Sequence, residues 1–124
     1  MQVERLKYII WAVDMARAVR FYRAVFDAEV LRESEVVSDV RIAGSTIGIH
    51  GGGEGGRTWT GLAFQVGDLF AGCALIRANG GLVEREPVDT PEEPAHLAMC
   101  VDPEGNEIML TKARHRHPGV DAAN

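Results

Sequence analysis

Apolar and polar residues change their spacing several times along the chain, and each change marks an element. Leu6 to Ala12 is a nearly continuous apolar run, read as a strand. Asp14 follows, and from Met15 to Phe26 the apolar residues recur at helical spacing, with Val19, Tyr22, Val25 and Phe26 on one stripe. An aspartate at that point accepts the orphan amide hydrogens of a first helical turn, so the helix starts there. Glu29 to Glu33 reads as a short strand, and Val36 to Ile49 as two strands that turn back at Gly44-Ser45.

After a run of glycines from Gly51 to Gly56, read as a flexible connection, the pattern begins again. The strand Gly61 to Val66 leads to a second cap, Asp68, and to a helix from Leu69 to Asn79 that Gly80-Gly81 stops. Leu82 to Glu86 then mirrors Glu29 to Glu33, and a proline- and acid-rich loop runs from Pro87 to Pro94. Leu97 to Val101, the turn Asp102-Pro-Glu-Gly-Asn106 and Glu107 to Thr111 close the unit. Two aspartate-capped helices, each preceded by an apolar strand and followed by three more, make a duplicated supersecondary unit. The expected fold class is therefore α+β, with two tandem β-α-β-β-β modules. Module one covers 5–50, the glycine-rich linker 51–57 and module two 58–112, within one domain spanning 1–113; a disordered tail is expected over 114–124.

Composition narrows the function classes. With 124 residues, 46% of them hydrophobic, the chain is of single-domain size and can bury a core without staples. It has no apolar run of the roughly 18 residues that a membrane span needs, and Met1 to Lys7 lacks the layout of a secretory signal, so a cytoplasmic protein with no membrane partner is expected. A net charge of −5 argues against nucleic acid, which requires a basic stripe. Cys73 and Cys100 lack metal-type spacing and sit in apolar stretches, the pattern of buried free thiols. His115 and His117 lie in the basic tail, where one spacer residue makes a poor metal site.

Three stretches then carry a family resemblance: Val13-Asp-Met-Ala-Arg-Ala-Val-Arg-Phe-Tyr22, Gly61-Leu-Ala-Phe-Gln-Val-Gly-Asp68, and Val101-Asp-Pro-Glu-Gly-Asn-Glu-Ile-Met-Leu110. Together, and in this order, they resemble the vicinal oxygen chelate superfamily of glyoxalases, bleomycin-resistance proteins and extradiol dioxygenases. The resemblance implies curled mixed sheets around a cleft, a small-molecule ligand and a homodimer. It does not fix the chemistry, because members of the superfamily isomerise, cleave, epimerise or merely sequester.

Strand parity sorts the candidate cleft residues. Lys7, Ile9 and Trp11 share one face of the first strand, opposite Tyr8, Ile10 and Ala12. Gly61, Ala63 and Gln65 share a face of the strand that opens module two, and the closing strands add Gly48 and His50, and Glu107 and Met109. The resemblance implies that metal-using relatives place His, Glu or Gln where this chain has Lys7, Gly48, Gly61 and Met109. Neither glycine nor lysine supplies a donor and methionine is a soft thioether, so no metal and no other cofactor is expected. The expected ligand site is Lys7, Ile9, Trp11, Gly48, His50, Gly61, Ala63, Gln65, Glu107 and Met109, taking a planar or anionic molecule, with Lys7 paired to Glu107 or to the ligand. A metal-free lyase or isomerase moving a proton with His50 or Glu107 is the competing reading. A metal-dependent glyoxalase- or dioxygenase-type enzyme with atypical ligands is the third. His96 and Trp59 are further candidates, of undecided facing for His96 and with core packing as the rival role for Trp59.

Overall fold

The computed structural model describes residues 1–113, and the expected tail lies outside the described residues. Module one runs β1 (Tyr8–Trp11), α1 (Met15–Phe26), β2 (Glu29–Arg32), β3 (Val37–Ile42) and β4 (Ser45–His50). Module two repeats it as β5 (Thr58–Gln65), α2 (Leu69–Ala78), β6 (Leu82–Arg85), β7 (Leu97–Val101) and β8 (Asn106–Thr111). The sheets have orders β1-β4-β3-β2 and β5-β8-β7-β6, with β1 parallel to β4 and β5 parallel to β8. Both helices begin at the expected caps: Asp14 accepts from the Arg17 amide and Asp68 from the Ala71 amide, each at 3.0 Å.

The opening strand of module two and the glycine run before it depart from the sequence reading for local reasons. The strand opening module two starts at Thr58 rather than Gly61, because Thr58 and Trp59 already pair with β8 before a bulge interrupts the ladder. Gly61 sits in that bulge at φ 71°, a conformation glycine takes without a Cβ penalty. The glycine-rich connection is also packed against backbone. The Gly53 amide donates to the Ala12 carbonyl at 3.0 Å, and a Cβ on Gly51 would come within 2.3 Å of the Glu35 carbonyl oxygen. Close approach, besides flexibility, therefore accounts for the glycines there.

Each sheet turns its more apolar face to the helices, and the two faces share one core. Ile10, Ile47 and Ile49 of module one join Phe64, Ile108 and Leu110 of module two around Phe21, Tyr22 and Ile76. Phe26 of α1 stacks on Phe64 of β5 with ring centroids 3.9 Å apart. Cys73 and Cys100 are buried free thiols in this core; burial raises both, pushing Cys100 up to about 12.

A polar seam completes the join between modules, and the Asp102-Pro-Glu-Gly-Asn106 turn supplies it. Glu104, its side chain fully buried, accepts from the Val13 and Asp14 amides at 2.9 Å each and from Arg17 Nε at 2.6 Å. Asn106 bonds the Trp11 backbone on both sides, accepting from its amide at 3.3 Å and donating to its carbonyl at 2.7 Å. The Tyr22 hydroxyl donates to Asp102 at 2.6 Å, and burial raises both groups above their ordinary values. Gly105 holds the turn at φ 95°, where a Cβ would meet the Gly56 carbonyl oxygen at 2.5 Å.

Glu104→Ala should therefore cost about 2–4 kcal/mol, since it strands two backbone amides and one arginine. Urea denaturation checks this, and a loss below about 1 kcal/mol would show that the seam does not hold the modules.

Candidate functional site

The sheet faces turned away from the helices carry the expected candidates. On module one, register places Ile9 beside Gly48, Gly48 beside Asp39, and Asp39 beside Arg32, one row across all four strands. Arg32 reaches this row because β2 bulges between Val30 and Arg32, which turns the arginine to the same face as Asp39. Lys7 lies across Gly48: a Cβ there would stand 2.5 Å from Lys7 Cε and 2.8 Å from Ile9 Cδ1. The missing side chain at position 48 is the channel through which the lysine stem passes.

That stem delivers the ammonium to Asp39, not to Glu107. Lys7 Nζ lies 2.7 Å from Asp39 Oδ1, and Arg32 Nε lies 2.7 Å from Oδ2. Asp39 is 7% exposed, and the contact with Lys7, opposed by burial and aided by Arg32, lowers its pKa. Each carboxylate oxygen of Asp39 thus faces one cation. Glu107 instead faces Arg57, 3.7 Å away, which also pairs with Glu84.

Trp11 and His50 stand in register at the end of the same face, rings edge-to-face with centroids 5.5 Å apart. Trp11 is 47% exposed and Ile9 39%, so they form an open apolar wall beside the charged row. On module two the equivalent row is Ala63, Met109, Met99 and Arg85, with Gln65 beside Thr111 and Trp59 beside Glu107. Trp59 is 55% exposed on this face, which places it outside the core. Gly61 sits in the bulge near the Tyr8 hydroxyl of module one, and His96 precedes β7 near Glu93.

Within one chain the structure brings Lys7 to Gly48 and Met109 to Ala63, on two different sheets. Three surface concavities are lined by other segments: 13–16 with 33–35, the outer side of α1, and 67–70 with 112. The sequence did not single out Asp39 or Arg32. Parity from β4 finds Asp39 once the strand order is known, whereas the bulge hides Arg32.

Donor chemistry at this place does not fit a divalent cation. An ammonium, two glycines and a thioether occupy the four positions, and no group of three or more His, Cys, Asp or Glu able to hold a metal occurs among the described residues. The sequence model of the Glyoxalase/Bleomycin resistance protein/Dioxygenase superfamily matches residues 5–110. The chain belongs to this superfamily. A lactoylglutathione lyase of Haemophilus influenzae is 25% identical to it, over 86% of this chain and 90% of the relative. Among solved structures, a fosfomycin resistance protein, FosX, of Listeria monocytogenes in complex with Mn(II) and sulfate superposes with a TM-score of 0.73 at 22% identity, covering 90% of this chain and 92% of that one. A superfamily enzyme of Burkholderia phytofirmans gives 0.70 at 18% identity, covering 86% and 95%. These superpositions establish the superfamily fold.

Gly48→Ala should fold, at a cost of about 1 kcal/mol, because the atoms its Cβ meets are side-chain ends. It should drive Lys7 off Asp39 and raise the Asp39 pKa toward the ordinary range; carboxyl NMR titration reads this, and an unmoved Asp39 refutes the channel. Since the folded pKa of Asp39 is lowered, its contribution to stability is complete above the unfolded value of about 3.9 and is lost as pH falls through the folded one. Asp39→Asn should accordingly flatten the acid limb of stability below about pH 4, measured by urea midpoints across pH.

Proposed function

We propose that the protein is a metal-independent small-molecule-binding member of its superfamily, cytoplasmic and homodimeric, holding a planar or anionic organic ligand against the cleft faces of its sheets. The observation that carries this reading is the Lys7 ammonium, tied to Asp39 over Gly48, a place where the family resemblance implies a metal ligand in metal-using relatives. A fixed cation beside the open wall of Ile9 and Trp11 has the make-up of a ligand site, a few polar groups among apolar ones. Ile9, Trp11, Gly48 and His50 line it on module one; Gly61, Ala63, Gln65, Glu107 and Met109 form the opposing face.

A second copy completes the cleft in this reading. Both faces are open within one chain, and Leu6, Ile9, Trp11 and Trp59 expose apolar surface beside β1 and β5, which are edge strands of their sheets. Module one of one copy then faces module two of the other. Among the described residues no helix is long and apolar enough to cross a membrane. Proton transfer by His50 or Glu107 gains little support, since Lys7 is engaged by Asp39, His50 packs on Trp11, and Glu107 faces Arg57.

Metal analysis of the purified protein should find no stoichiometric Zn²⁺, Ni²⁺, Mn²⁺ or Fe²⁺, and sedimentation should find a dimer that Trp11→Glu dissociates while far-UV circular dichroism is kept. Stoichiometric metal overturns the metal-independent reading, and a monomeric wild type overturns the shared cleft.

A further inference from the structure

The charged row on module one has no counterpart in module two, and the difference is informative. Both modules carry the same bulge, and both present an arginine after it, Arg32 and Arg85. Module two fills the places of Gly48 and Asp39 with Met109 and Met99, and its four-stranded sheet forms regardless. The fold therefore does not need a buried carboxylate there. Buried ion pairs add little net stability compared with apolar residues of similar size, so a role in folding is a weak account of Lys7, Asp39 and Arg32.

Their charges do not cancel. Two cations share one carboxylate, leaving a net positive charge on a sheet face within a chain of net charge −5. Lysine has three donors and arginine five, and a single contact to Asp39 uses one nitrogen of each. The Arg32 side chain is 58% exposed and its terminal nitrogens make no other ion pair among the described residues. The guanidinium fork matches a planar carboxylate, while an ammonium acts as a point charge beside it. Along β1, same-face residues follow every second position, about 7 Å apart, so Ile9 and Trp11 lie one and two steps from Lys7.

Resting on the binding reading above, we propose that the Lys7–Asp39–Arg32 cluster is an anion-recognition subsite, and that the ligand is an amphipathic organic acid. Its acid group sits on Lys7 and Arg32, and its flat apolar body of one or two rings lies along Ile9 and Trp11. Asp39 is the positioning residue: it holds both cations on the face and leaves them with charge to spare.

The test compares 2-naphthoate with its neutral isostere 2-naphthamide, in a Trp59→Phe background that leaves Trp11 as the single tryptophan. Calorimetry gives affinity, and Trp11 emission reports where the ring binds. Naphthoate should bind about tenfold tighter than the amide, the effect of one charge-assisted contact. Arg32→Gln should reduce the preference several-fold. Lys7→Met alone leaves Asp39 half-paired, so the deciding variant is Lys7→Met with Asp39→Leu, which gives module one the apolar row of module two. It should lose the preference for naphthoate while far-UV circular dichroism shows the fold kept. Equal binding of the two probes with quenched Trp11 overturns the anion subsite and leaves the binding reading standing. Binding of neither probe overturns both.

Discussion

Everything at the candidate site hangs from a buried carboxylate in the other half of the chain. Glu104 accepts from the amides of Val13 and Asp14, where β1 has just ended and α1 has yet to begin. Those amides have no partner in either element, and burying them unpaired is costly. Asn106 then bonds both polar groups of Trp11 on the edge of β1 that β4 does not use. Lys7, Ile9 and Trp11 all stand on this one strand or directly before it, so its pose is set from module two. The turn Asp102-Pro-Glu-Gly-Asn106 is thereby explained as a clamp on β1, the strand that carries the candidate site.

Duplication makes the chain its own control. The modules share cap, bulge and strand order, which is what the backbone requires of both. They differ in the row crossing the sheet, where one has Gly48 and Asp39 and the other Met109 and Met99. Backbone geometry common to both is the fold's demand, and side chains found in only one need a separate reason. That contrast moves the ion-pair cluster from packing toward recognition.

Much of this was legible in the residues, and the limits have physical causes. Aspartate caps, helical stripes and the glycine at the end of α2 are local signals, and both helices begin where they predict. Alternation set Ile10 and Ala12 on the face opposite Lys7, Ile9 and Trp11, and both are buried, because parity survives wherever a strand is regular. It fails at bulges: Arg32 and Gly61 both sit where one strand gains residues on its partner. The pairing of Lys7 was beyond reach for another reason. Lys7 and Asp39 are brought together by β4 lying between β1 and β3, a parallel crossover that no local pattern encodes.

Position 48 ties the members of the charged row to one another. With a side chain there, Lys7 Cε would be 2.5 Å from the new Cβ, so a liganding carboxylate at 48 and the present lysine pose exclude each other. With Lys7 and no Asp39, a partly buried ammonium would face a sheet without its counter-charge. Lysine, glycine and aspartate thus form one unit across three neighbouring strands, consistent only when all are present. What the unit supplies is a cation tethered to the chain, which in the proposed reading meets a ligand by charge and hydrogen bonds rather than by coordination. Such a site can hold and orient an anion, but it offers no open coordination position at which to polarise one. The proposed reading, binding without metal-assisted turnover, rests on this arrangement of charge.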